Sequence, residues 1–272
     1  MYKIFNLRVD GDYSGYHDIG LNLYRLQKKN IEDDLKHYFM RESLEVLDAN
    51  SIENEWFPSI EASIFISHSH LDEAKAIGLA GWLYSEFGLK SFIDSGLWGH
   101  SDELLKYLDE NYCLQDNGKY NYQQRNLTTS HVYMILSISL MKMIDKCEAF
   151  FFINSNNALD YSINKYVDGS FTQSPWIYNE LSIVDKIRVS PPERYNFVNF
   201  KKSSKKDLEI LNEAQNIKIA YEVTGALKKM IPLHEEHLGL WMKNYKEKCK
   251  ECRFNRGESW HPLDVLYAQH EN

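Results

Sequence analysis

The sequence predicts an α/β fold, a doubly wound parallel sheet of the flavodoxin-like kind, and three observations carry that expectation. Short β-branched or aromatic runs alternate with helical patterns that repeat at three- and four-residue steps. The run AFFFI (149–153) is apolar without alternation, as a strand covered on both faces must be. A strand, a helix and a second strand follow one another within about thirty residues, the size of a βαβ unit with a parallel pair.

The chain opens with a short strand over residues 3–9, followed by a helical pattern over 31–47 in which Leu35, Tyr38, Phe39 and Leu47 share one face only roughly. Trp56, Phe57 and Pro58 close this stretch, which reads as an N-terminal extension over 1–61. The run SIFI (63–66) is the first convincing strand and ends in the polar turn Ser67-His68-Ser69-His70. Ala76, Leu79, Ala80, Leu83 and Phe87 then line one helical face, and Gly88 stands where a helix C-terminus expects glycine. A strand over 90–93 ends at Asp94, a loop with Gly96 and Gly99 follows, and a helix is expected from about Ser101 to Glu110. Residues 111–129 are polar and tyrosine-rich and read as an inserted loop. The helical pattern resumes with Val132, Leu136, Leu140 and Met143 and leads to the central strand 149–153. After a long polar loop, Ser174 and Pro175 are placed to cap and start a helix. Beyond residue 190, a last strand is expected over 217–223 and a last helix over 233–250, forming a C-terminal extension over 191–272 packed on the central 62–190 domain.

Composition excludes several functions. A formal net charge of -8 argues against a general nucleic-acid binder, and the basic cluster Lys201, Lys202, Lys205 and Lys206 reads as a solvated loop. The longest uninterrupted apolar runs are too short to cross a bilayer, and Asp10 stands where a signal peptide would need apolar residues, so a cytoplasmic protein without membrane partners is expected. Four cysteines form no disulfide framework. Cys249 and Cys252 make a C-x-x-C with His234, His237 and His261 nearby, but the spacing fits no zinc finger, and no metal is expected there.

Ligands of open α/β sheets bind beyond the carboxyl ends of the strands. Here those ends are the Ser67–His70 turn, Asp94 with its glycine loop, and the approach to Trp176. Trp176 and Glu180 are four residues apart and share a helix face near its start, where the macrodipole favours an anion. From spacing alone the plainer reading is favoured, a tryptophan packed in the core and a glutamate on the helix surface. Ser101 could cap its helix and offer free N–H groups to a phosphate, or cap it with no ligand at all. His68 and His70 are by default loop histidines bonded to backbone, and His131 carries no assigned role.

Four segments together resemble bacterial Toll/interleukin-1 receptor (TIR) domains. SIFISHSHLD (63–72) is similar to their first strand and loop, GLKSFID (88–94) to their second strand, KCEAFFFINS (146–155) to the strand before the catalytic helix, and SPWIYNEL (174–181) to the S-x-W-x-x-x-E-L pattern of that helix. The likeness covers residues 62–187, less than half of the chain. The loop after Asp94 lacks the Arg-Asp and Pro-Gly signature of receptor TIR domains, which argues against a receptor-adaptor role.

The resemblance implies cleavage of the nicotinamide–ribose bond of NAD, with Glu180 as the catalytic carboxylate. Phe65, Ser67, His68, Ser69, Asp94, Leu97, Trp98, Ser101 and Trp176 are the expected substrate-binding residues. It further implies NAD as substrate with no other cofactor, ADP-ribose or a cyclic isomer as product, self-association into a homo-oligomer, and a role in Thoeris-type antiphage defence with an effector that responds to the product. Two other readings stand beside it: a TIR interaction module without catalysis, and a nucleoside deoxyribosyltransferase-like enzyme, which also uses a glutamate on such a sheet. A receiver-type domain is disfavoured, since Ser-His-Ser-His replaces the acidic cluster at the first strand end.

Overall fold

The computed structural model describes residues 1–41, 61–162, 169–195, 219–255 and 260–270. Its centre is a five-stranded sheet built from β1 (Lys3–Arg8), β2 (Ile64–Ser67), β3 (Ser91–Ile93), β4 (Ala149–Ile153) and β7 (Ile231–His234). The strand order is β3-β2-β4-β1-β7 and every pairing is parallel. A separate antiparallel pair joins β5 (Phe171–Thr172) to β6 (Tyr221–Glu222). The fold is thus α/β, with helices on both faces of a parallel sheet, consistent with the flavodoxin-like expectation.

β4 is central because its sequence suits no other place. Phe150 and Phe152 point to one face, Ala149, Phe151 and Ile153 to the other, and all five are buried. Each face then needs a cover. On one side lie α3 (Ser95–Leu108), α4 (Tyr122–Lys146), α5 (Pro175–Lys186) and α6 (Thr224–Lys229). On the other lie α1 (His17–Arg41), α2 (Glu73–Phe87), α7 (Glu235–Asn255) and α8 (Pro262–Ala268). The face predicted for α2 is buried throughout, and Gly88 ends it in the left-handed conformation at φ 69°.

Several expectations are corrected. The N-terminal strand is no appendage, because it pairs with β4 on one side and β7 on the other. The first helix begins at His17, well before residue 31, and positions 42–47 of that expectation lie outside the described residues. α3 starts at Ser95, directly after β3, so Gly96 and Gly99 lie within a helix and Ser101 is a buried mid-helix residue rather than a cap. Helical glycine costs about 1 kcal/mol, which packing readily outweighs. The supposed insertion is largely ordered structure. A π-turn at Asp109–Cys113 and a bridge between Leu114 and Tyr120 lead into α4, whose N-cap Asn121 accepts hydrogen bonds from the amides of Gln123 (3.0 Å) and Gln124 (3.2 Å). At the far end Leu233 and His234, expected to open the last helix, belong to the edge strand β7, and of the strand expected over 217–223, residues 217–218 lie outside the described residues while β6 takes Tyr221–Glu222.

Among the described residues α4 alone is long and apolar enough, by length and composition, to cross a membrane. One of its faces, with Val132, Leu136, Leu140 and Met143, is part of the protein core.

Candidate functional site at the carboxyl ends of the strands

Three elements converge where β2 and β3 end. Ser67 is the last residue of β2, His68 follows it, and Asp94 follows β3; all three are buried. Glu180 approaches from α5 and has no exposed surface. The helix is aimed by its sequence: Ser174 caps it by accepting from the Ile177 amide (3.3 Å), Pro175 opens it, and Ile177, Leu181 and Val184 anchor it in the core. Glu180 therefore enters the interior on the same side of α5 as its apolar neighbours.

The contacts inside are short. The Ser67 hydroxyl donates to Glu180 Oε2 at 2.5 Å, and His68 Nδ1 stands 2.8 Å from Asp94 Oδ1. Asp94 lies close enough to Glu180 to share a hydrogen bond with it. Burial, then the charge of Asp94, then that shared bond hold the Glu180 carboxyl well above its ordinary range, against the opposing pull of Ser67. Burial alone would lower the proton affinity of His68, but the charge and hydrogen bond of Asp94, with smaller help from the Ile66 backbone and Glu73, raise it overall. Both shifts favour the protonated forms of Glu180 and His68 beside Asp94. This corrects the expectation that the α5 dipole keeps Glu180 ionised. Glu180 sits in the second turn, past the reach of the helix terminus, and burial is the largest influence on its proton affinity, raising it.

A second set of contacts ties the surrounding loops together. Asp72, buried after the His70–Asp72 turn, accepts from the Ser155 hydroxyl and from Asn157 Nδ2 (3.0 Å), so the loop after β2 is fastened to the loop after β4. Tyr24 of α1 donates to Glu73 (3.0 Å) and lies 3.2 Å from the Ser95 hydroxyl; burial first, with Glu73 and Asp94 assisting, pushes its phenol up to about 12. An open cleft of about 550 Å³ runs beside the α5 N-terminus, lined by residues 156–161 with Gln173 and Ser174.

The expected site residues divide accordingly. Ser67, His68, Asp94 and Glu180 come together. Phe65 does not join them, since it stacks between Phe92 (5.3 Å) and Phe150 (5.4 Å) in the core. Ser101 offers no helix start to a phosphate, because it lies inside α3. Trp176 is half-buried and packs its indole against Tyr133 of α4 (5.4 Å). Ser69 is half-buried and its carbonyl accepts from the Asp72 amide at 2.7 Å. His70 and His131 are exposed. The side chains of Leu97 and Trp98, and residues 201–206 with their lysines, lie outside the described residues. Sequence reasoning missed Tyr24, Glu73 and Asn157; Asp72 and Ser155 stood in the motifs, but nothing local showed that they touch.

For a metal, donor atoms of Glu148, His261 and Asp264 lie within 4.8 Å of one another. Arg194 already satisfies this group: its Nε donates to Asp264 and its Nη1 to Glu148, each at 2.8 Å. The donor set therefore fits a guanidinium better than a second cation. His261 is drawn into this group, while Cys249 is half-buried on α7 and the side chain of Cys252 lies outside the described residues.

No family model, no curated protein and no solved structure matches the chain. Fold and site together define an α/β protein with a buried carboxyl–carboxyl–imidazole cluster at the carboxyl ends of a parallel sheet.

Proposed function

We propose that this chain is a TIR-type NAD glycohydrolase or cyclase with Glu180 as its catalytic carboxylate. The observation that carries the reading is the burial of Glu180 at the strand ends, against Ser67 and Asp94, on a helix that begins Ser-Pro-Trp. Buried acids of shifted proton affinity at a strand-end crevice are characteristic of reacting centres.

In the proposed reaction the ribose C1′–nitrogen bond breaks and its electron pair passes to the nicotinamide ring, which leaves neutral. The ribose becomes an oxocarbenium ion, and an ionised Glu180 stabilises that charge. The approach of the cationic nicotinamide ring opposes the effect of Asp94 and favours the ionised form of Glu180, whose proton passes to solvent as the loops part. Water then attacks C1′ and loses a proton to give ADP-ribose, or a nucleophile of the same molecule closes a cyclic isomer. Glu180 has no exposed surface, so substrate reaches it only when the strand-end loops part. Antiviral defence, with the nucleotide product acting on an effector, is the role in keeping with this chemistry.

The same burial favours a second reading, a TIR-like interaction module in which Glu180 is a satisfied core acid. Incubation of the purified chain with NAD at several protein concentrations, with products separated by chromatography, decides between them. Nicotinamide release that is lost in Glu180→Gln supports the enzyme, and NAD left intact at every concentration supports the module. Base exchange on deoxynucleosides, with NAD untouched, would replace both by a deoxyribosyltransferase.

A further inference from the structure

Among the described histidines only His68 is buried, and the groups around its ring belong to the protein. Its Nδ1 stands 2.8 Å from Asp94 Oδ1, with both side chains enclosed. The Ile66 backbone and Glu73 are near enough to favour its charged form. Glu73 is held in turn by the Tyr24 hydroxyl of α1 at 3.0 Å, and Tyr24 lies 3.2 Å from the hydroxyl of Ser95, the residue after Asp94. On its other side Asp94 shares a hydrogen bond with Glu180. Among the described residues only Glu148, His261 and Asp264 bring three donor atoms within 4.8 Å of one another. His68, Asp94 and Glu180 do not, although Asp94 meets both of the others, so they form a row with Asp94 in the middle rather than a ring about one ligand. A buried carboxylate is costly unless a cation or donor faces it. The place of Asp94 against Glu180 therefore depends on the imidazole behind it.

We infer that His68 is a positioning residue for Glu180: it holds the Asp94 carboxylate against Glu180 and makes no contact with substrate. The family resemblance makes the same histidine a substrate-binding residue, and the two assignments differ in what a variant does. A group that binds substrate equally before and during the reaction changes KM, whereas one that acts only through the reacting carboxyl changes kcat. As a statement about catalysis the inference rests on the proposed NAD cleavage. As a statement about three coupled side chains it stands apart from that reaction.

Denaturant unfolding of full-length variants reads the coupling. His68→Leu removes both the cation and the donor, while His68→Asn keeps an N–H where Nδ1 stood. The unfolding constant of the double variant His68→Leu, Glu180→Gln should depart from the product of the two single effects by about threefold or more. The same comparison in an Asp94→Asn background should show no departure, because the link between the two is gone. His68→Asn takes the place of His68→Leu in this cycle if the leucine variant does not fold, with a smaller departure expected. Steady-state kinetics on NAD then separates positioning from binding. His68→Leu should lower kcat by on the order of tenfold to a hundredfold with KM unchanged, and His68→Asn should recover most of that loss. Additive effects on stability, a coupling that survives without Asp94, or a KM that rises at constant kcat overturns the inference. A wild type that leaves NAD intact, with the coupling present and lost on Asp94→Asn, defeats the proposed function but upholds the row of three.

Discussion

Glu180 is a carboxyl group placed where water cannot solvate its anion, beside a second carboxyl, with one serine hydroxyl to favour the charged form. Its proton affinity is raised on folding, so the stability linked to it is fully present below the ordinary glutamate range and is lost as pH rises through the folded value. His68 has the same sign, its benefit being complete below the unfolded imidazole value and lost as pH rises through the higher folded one. Asp264 and Asp185, held low chiefly by Arg194 and by Lys186 with Lys229 against the effect of burial, act oppositely and lose their contribution as pH falls. Two outcomes follow. Glu180→Gln keeps the shape and the acceptor for Ser67 without a charge to bury, so it should stabilise the chain at neutral pH by about 1–2 kcal/mol, with the gain vanishing in acid; denaturant unfolding at both pH values checks this, and equal destabilisation at both would show that Glu180 is an ordinary structural acid. If NAD is cleaved, Asp94→Asn removes the charge that raises Glu180, and the acid limb of kcat/KM should move to lower pH. A limb that stays in place would separate Asp94 from the protonation of Glu180.

Among the elements, α1 and α2 depend on a contact between backbones. A Cβ on Gly81 would stand 2.1 Å from the Tyr16 carbonyl oxygen, and one on Gly20 1.9 Å from that of Ile77. The two helices therefore cross with no side chain between them, and α1 brings Tyr24 to the rim of the site. Gly81→Ala should cost about 1–3 kcal/mol through forced separation of the helices, whereas Gly15→Ala, with open space around its Cβ, should unfold like the wild type. Thermal denaturation of the two variants side by side measures the difference, and equal melting points would contradict the close crossing. The sequence disclosed neither this crossing nor the starts of α3 and α4. Gly96 and Gly99 carry a local preference for loop that core packing overrides, and the Asn121 cap was hidden in a polar run although Asn-x-Gln-Gln is a readable start signal. What local pattern does contain was legible: the burial of AFFFI, the face of α2, the Gly88 stop and the Ser174-Pro175 start. So was the gathering of Ser67, His68, Asp94 and Glu180, because strand ends of a parallel sheet must meet.

At the scale of the molecule, the order of strands is what sequence reasoning could not reach. KIFNLR is recognisable as a strand, but its partners begin at residues 149 and 231, and nothing in a hexapeptide specifies a pairing at that distance. Once β1 stands between β4 and β7, the two ends of the chain hold the sheet together. Phe5 meets Phe151 edge-on (5.3 Å) and Leu7 is aligned with Leu233, all of them buried. Arg194 adds a tie at the other end of the strands, joining Glu148 at the start of β4 to Asp264 of α8, with Tyr267 donating to the same Glu148 at 2.8 Å. A fragment over 62–190, which looks self-sufficient from its motifs, would expose one whole edge of β4 and leave Phe151 and Ile153 without the cover of α7 and α8. An unpaired edge on the most apolar strand is an aggregation surface. That fragment should be insoluble or lack a cooperative transition in circular dichroism, and a chain that lacks only residues 1–12 should fare no better, since it still loses β1. Cooperative unfolding of the 62–190 fragment as a soluble monomer would show that the strand-end site belongs to an autonomous domain, with β1 and β7 as additions to it.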